Sequence, residues 1–171
     1  MAGSGMILIR EVADAPVIMG ISKPAGLKSP CGEVKIMNPL FVGIDVSSRN
    51  NVAYLMKPDG SKHSSFSVQN NLGGAKILSE RIVSALESVP LSDLVIGLEA
   101  TSIYGDSLVY ALREDGSLGR FQRKIHVLNP KQVRKFKEAY PDLPKNDWVD
   151  AFVIADHLRF GRIAKEVYMD D

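Results

Sequence analysis

The chain has 171 residues, 45% of them hydrophobic and 24% charged, with 21 Lys and Arg against 20 Asp and Glu. Such a length and balance describe one domain with its own core and exclude a disordered or collagen-like polymer. A formal net charge of +1 excludes global attraction to nucleic acid, so any such contact must come from a local patch.

Residues 1–38 carry scattered Gly, Pro and Ser, as in "SKPAGLKSPCGE", without a sustained period, and are expected to be an irregular extension. Met37 stands immediately before the strong patterning and is a candidate natural start. Cys31 is the one cysteine, too few for an internal disulfide or a zinc site, which suits a reducing, cytoplasmic setting. The apolar stretch near the start is interrupted by Arg10, Glu11 and Asp14, so neither a signal peptide nor a membrane span is expected.

From Leu40, "LFVGIDVS" has the β-branched, apolar character of a buried strand, and "NVAYLMK" after the turn-prone "SSRN" should pair with it as a hairpin. The turn "PDGS" leads to a third, more exposed strand, "KHSSFSVQ". Ile77, Leu78, Ile82, Val83 and Leu86 then recur at helical spacing over Ala75 to Leu86, which predicts a first helix. "DLVIGLEA" reads as a buried strand, and "YGDSLVYALRE" as a helix with Tyr104, Leu108, Ala111 and Leu112 on one face. "KIHVLN" is a fifth strand. Asn129 and Pro130 are the cap and first residue of a helix reaching about Ala139. After "YPDLP" a last helix runs from about Asn146 toward Phe160, with Gly161 as its stop. The order β-β-β-α-β-α-β-α-α predicts an α/β fold, a mixed sheet of about five strands flanked by helices, in the RNase H-like order.

Two of these strands deliver an acid where an apolar residue is expected. Asp45 lies between Ile44 and Val46, and Glu99 ends "LVIGLEA", at the carboxyl end where α/β sheets place ligand sites. A lone Asp closing a strand can simply point to water; two strands making the same choice argue for a site. In "KNDWVDA", Asp147 and Asp150 are three apart and share a helical face, where their repulsion is relieved by a cation, although acids in a first helical turn also complement the macrodipole. Four carboxylates, Asp45, Glu99, Asp147 and Asp150, suit hard cations, Mg2+ or Mn2+, and disfavour zinc. A carboxylate cluster of this kind on this fold suits phosphodiester cleavage.

The blocks "GIDVSS" at 43–48, "EATSIYGDSL" at 99–108 and "KNDWVDA" at 145–151 resemble the three signature blocks of the DEDD transposases of the insertion-sequence-110 family. The resemblance covers roughly residues 40–165. It implies a RuvC-like amino-terminal catalytic domain (39–165), with Asp45, Glu99, Asp147 and Asp150 as the catalytic, metal-binding tetrad. It further implies magnesium dependence, DNA as substrate, assembly as a homo-oligomer and a structured bridge RNA as guide. Family members continue into a coiled coil and a second domain with a catalytic serine, so residues 166–171 are expected to begin a linker and the chain alone to be incomplete for strand exchange. Alternative readings are a stand-alone RuvC-like nuclease or resolvase and a non-catalytic nucleic-acid-binding module. An ATP-binding actin-like domain is disfavoured by the absence of ordered glycine-rich phosphate loops.

Between Ser117 and Lys137 there is no acid. Arg120, Arg123, Lys124, Lys131, Arg134, Lys135 and Lys137 supply a basic stretch there, of which Arg123, Lys124, Lys131, Arg134 and Lys135 are expected to contact nucleic acid, with a solvated helix face as the plainer alternative. On the same helix Val133, Phe136 and Tyr140 should form the packed stripe. Tyr104 is expected in the core below the site and Trp148 to face away from the paired aspartates. His63, His126 and His157 lack metal-ligand spacing and are read as structural or surface residues, and Ser47 and Ser48 as turn residues. Phe160, Ile163 and Val167 are apolar residues that an absent coiled coil would cover.

Overall fold

The computed structural model describes residues 38–89, 91–99, 103–140 and 142–161. The expected extension, with Cys31 and Met37, lies outside the described residues apart from Asn38, as do Ile163 and Val167. The elements follow the expected order: β1 (Pro39–Val46), β2 (Asn50–Met56), β3 (Lys62–Gln69), α1 (Leu72–Ser88), β4 (Asp93–Glu99), α2 (Ile103–Glu114), β5 (Gln122–Leu128), α3 (Pro130–Lys137) and α4 (Asp147–Arg159). A 3-10 turn at Leu118–Arg120 separates α2 from β5.

The strands form one sheet in the order β3-β2-β1-β4-β5. β1 runs antiparallel to β2, and β2 to β3, whereas β4 is parallel to β1, and β5 to β4. Short turns make the first three strands neighbours. Ser47 sets the first turn, donating its hydroxyl to the Asn50 carbonyl at 2.6 Å. The later strands return through helices, which is what parallel pairing requires. This mixed sheet, with helices on both faces, is the RNase H-like arrangement that the element order predicts.

Side chains alternate along a strand, so each strand addresses both faces. Leu40, Val42 and Ile44 of β1, with Leu94, Ile96 and Leu98 of β4, pack against Leu78, Ile82 and Leu86 of α1 and Leu108 and Leu112 of α2. On the opposite face Phe41, Met56, Val95 and Leu128 pack against Val153, Ile154 and Leu158 of α4 and Val133 of α3. Each fully buried aliphatic side chain contributes about 2 kcal/mol.

The helix ends carry the expected chemistry. Asn129 accepts from the Lys131 amide at 2.9 Å with Pro130 in the first turn, and Asn146 accepts from the Val149 amide at 2.9 Å. Gly161, at φ +67°, supplies the left-handed residue that ends α4. Asn71 caps α1 by accepting from Gly74 N at 2.8 Å, so that helix begins before the expected Ala75. Two packing expectations are corrected. Ile77 is 46% exposed because it falls outside the stripe formed by Leu78, Ile82 and Leu86, and Tyr104, also 46% exposed, stands at the rim of a surface groove beside Asn71 and Leu72. In the first turn of α2 it is Gly105, buried against Leu98 of β4, that faces the sheet, and Tyr104 beside it points outward.

Candidate active site

Two glycines decide how close α4 comes to the sheet. Gly43 on β1 and Gly97 on β4 are direct register partners, and both lie on the α4 face, in step with Phe41 and Val95. A Cβ on Gly43 would stand 2.1 Å from the Ala151 carbonyl oxygen and 2.4 Å from the Ala155 amide nitrogen, and one on Gly97 2.8 Å from a Leu158 methyl. The helix backbone therefore rests directly on β1. Two residues further along each strand, on the same face, come Asp45 and Glu99.

The first turns of α4 lie across those two strand ends. Asp45, Glu99 and Asp150 line one open cavity of about 580 Å3, together with Pro130, Val133, Arg134, Lys137 and Lys145. Asp147, on the exposed first turn of α4, does not line it. The fold thus brings three of the four acids to a shared cavity, and the fourth does not line it.

The acids act on one another. Burial, followed by the charges of Asp150, Asp147 and Glu99, pushes the Asp45 carboxyl up to about 6 from 3.8, with Lys137 opposing. Burial and the charge of Asp150 likewise raise Glu99, again opposed by Lys137. Asp147 therefore belongs to the cluster through its field, although its side chain is exposed. Carboxylates held in mutual repulsion at the end of a sheet are the donor set that a hard divalent cation satisfies. In their present arrangement no three His, Cys, Asp or Glu side chains among the described residues close around a common point as metal ligands. Instead the ammonium of Lys137, from the last residue of α3, donates to Asp150 Oδ1.

Lys137 and Lys145 were not singled out by sequence as site residues, yet both line the cavity with Arg134. The available signal was the spacing of Arg134 and Lys137, three apart on α3 and on one face of it.

The basic residues divide by face. Arg134 reaches the cavity, and Lys124, Lys131 and Lys135 are exposed. Arg123 lies on another face: it shares the α2 face of β5 with Ile125 and Val127, and its guanidinium donates to the carbonyls of Arg113 and Asp115 at the end of α2. It caps a helix and is turned away from the acids. Trp148 is 44% exposed, and Val133, Phe136 and Tyr140 pack as the stripe expected of α3 and the turn after it. His126 and His157 are buried, and burial pushes the His157 imidazole down. His63 bridges Ser64 and Ser88 at 3.3 and 3.1 Å. Among the described residues no helix is long and apolar enough to cross a membrane.

A family model described as a transposase, that of the insertion-sequence-110 DEDD type, matches residues 42–170. No curated protein matches the chain. Among solved structures, RuvC of Thermus thermophilus in complex with a Holliday junction substrate is similar at 13% identity and a TM-score of 0.48, over 75% of this chain and 96% of that one. A second Thermus thermophilus RuvC structure gives 13% identity and a TM-score of 0.47, over 76% and 98%. The Fowlpox virus resolvase in complex with Holliday junction DNA gives 16% and 0.39, over 74% and 97%.

Proposed function

Because the chain belongs to the insertion-sequence-110 family of DEDD transposases, we propose that its α/β domain performs metal-dependent phosphodiester chemistry on DNA during transposition. The observation that carries this reading is the meeting of Asp45 and Glu99, from two strand ends, with Asp150 of α4 in one cavity. Asp45, Glu99 and Asp150 would hold Mg2+ or Mn2+, with Asp147 drawn in from the adjoining turn. When bound, the metal supplies an activated oxygen nucleophile and neutralises charge on the departing oxygen.

The chain's own residues orient and select. The backbone of α4, seated on Gly43, keeps Asp150 in register with Asp45. Arg134 and Lys145, at the cavity wall, attract the phosphate, and the exposed Lys124, Lys131 and Lys135 extend the basic surface along the nucleic acid. Within the proposal, residues 39–165 form the catalytic domain. Strand exchange requires a serine-bearing domain beyond the linker that begins at 166, assembly as a homo-oligomer, and a bridge RNA.

The test is calorimetric titration of the 171-residue chain with MnCl2 beside an Asp45→Asn, Asp147→Asn double variant. Loss of binding in the variant is the expected result. Equal heats of binding would remove the acids from the metal site and favour a non-catalytic nucleic-acid-binding module. That second reading draws support from the lysine ammonium now paired within the cluster.

A further inference from the structure

Lys137 is placed unlike an ordinary surface lysine. It is the last residue of α3, its side chain is 27% exposed, and its ammonium donates to Asp150, whose side chain is 33% exposed. Asp45 and Glu99 line the same cavity as Lys137 and Asp150. One ammonium, paired with Asp150, therefore stands in a cavity shared by three carboxylates drawn from two strands and a helix. Arg134 and Lys145 line the same cavity.

We propose that Lys137 is a tethered counter-ion of the acid cluster, its ammonium holding the seat that a divalent cation takes, so that lysine and metal exclude each other. The inference rests on the metal-site reading above and adds to it a residue that sets metal affinity without being a ligand. Its physical basis is charge and reach. Two cations a few ångströms apart in a half-buried cavity repel strongly, and the acids hold only one of them closely. A lysine is suited to yield because its charge sits on a flexible stem, and a half-exposed ion pair is inexpensive to open. Without it, Asp150 would lose its ion-pair partner in the metal-free protein.

Lys137 is thus a positioning residue. It keeps α3 and α4 together before metal arrives and moves aside when metal enters. An ion pair that served stability alone would leave metal affinity unchanged on removal, or weaken it by loosening α4.

The experiment titrates MnCl2 into the 171-residue chain as wild type, Lys137→Met, Lys137→Arg and Asp45→Asn, reading calorimetric affinity and thermal unfolding. Lys137→Met is expected to bind Mn2+ roughly tenfold more tightly than wild type. It is also expected to unfold at a lower temperature without metal and to gain more stability on saturation. Lys137→Arg, which keeps the charge, is expected to stay near wild type. Lys137→Gln carries the same expectation as the methionine variant and replaces it if that one fails to fold. Equal or weaker Mn2+ affinity in the neutral variants, with binding abolished by Asp45→Asn, overturns the counter-ion role and leaves the metal site standing. If Asp45→Asn binds as wild type does, the metal site itself has failed and the competition falls with it.

Discussion

On the side of the sheet covered by α1 and α2, β1 and β4 present Val42, Ile44, Ile96 and Leu98, large aliphatic side chains that meet others in a buried apolar interface. On the side covered by α4, the same two strands present Gly43, Asp45, Gly97 and Glu99. One face fills its volume with hydrocarbon. The other gives up side-chain volume so that a helix backbone can descend onto the sheet, and then sets acids beside its first turns. Burial stabilises the first face and costs the second, since the Asp45 carboxyl is raised to about 6 by burial and like charges. Stability and chemistry are thus separated across a single layer of strands, and substitutions on the two faces should report different things.

The largest expected effect is on the aliphatic face. Leu78 is fully buried, and Leu78→Ala should cost about 3 kcal/mol in urea unfolding while leaving Mn2+ affinity unchanged. Coupled loss of metal binding would mean that the faces are not separate. Gly43→Ala should cost about as much or slightly less, roughly 2–3 kcal/mol, because the new Cβ meets helix backbone. Here Mn2+ binding should weaken as well, since α4 carries Asp150 away from Asp45. Gly97→Ala first meets the side chain of Leu158, which can shift where backbone cannot, and should cost about 1 kcal/mol. A cost equal to that of Gly43→Ala would show that side-chain and backbone obstruction do not differ here. Asn146→Ala removes the acceptor for the Val149 amide and should cost about 1 kcal/mol, loosening the turn that bears Asp147.

An effect of similar size to the last two is a pH dependence. Folded Asp45 keeps its proton up to a pH of about 6, against 3.8 for the ordinary side chain. Between those values the metal-free native state binds more protons than the unfolded chain, so this group makes stability fall as pH rises through the window. Asp45→Asn should therefore be more stable than metal-free wild type above about pH 6, by about 1 kcal/mol once solvent screening is allowed for. The advantage should vanish as pH falls below 3.8 and reverse when Mn2+ saturates the wild type. Thermal unfolding of both proteins across pH gives the comparison directly, and a constant difference between them would refute the burial argument.

Much of this molecule follows from local pattern. The β-branched runs, the periodic apolar stripe at Leu78, Ile82 and Leu86, and the caps at Asn129, Asn146 and Gly161 are each specified within a few residues, so element order and helix ends were legible in the chain alone. An acid at the end of an apolar strand is also a local anomaly, which is why Asp45 and Glu99 stood out. What the sequence leaves open is which residues meet across elements. Arg123 read as part of a basic stretch, but strand alternation turns it toward α2, where the carbonyls of Arg113 and Asp115 accept it. Tyr104 matched a helical face, but in its turn of α2 the sheet is met by the neighbouring Gly105, which leaves Tyr104 outward. Lys137 looked like one more charge on α3, and only the seating of α3 and α4 on the same face of the sheet brings its ammonium to Asp150. Period, capping and turn chemistry act over a few residues and are written in order along the chain. The pairing of Gly43 with Gly97, and the meeting of residues 45, 99, 137 and 150, depend on strand register and on how closely a helix can approach, and tertiary packing alone decides those.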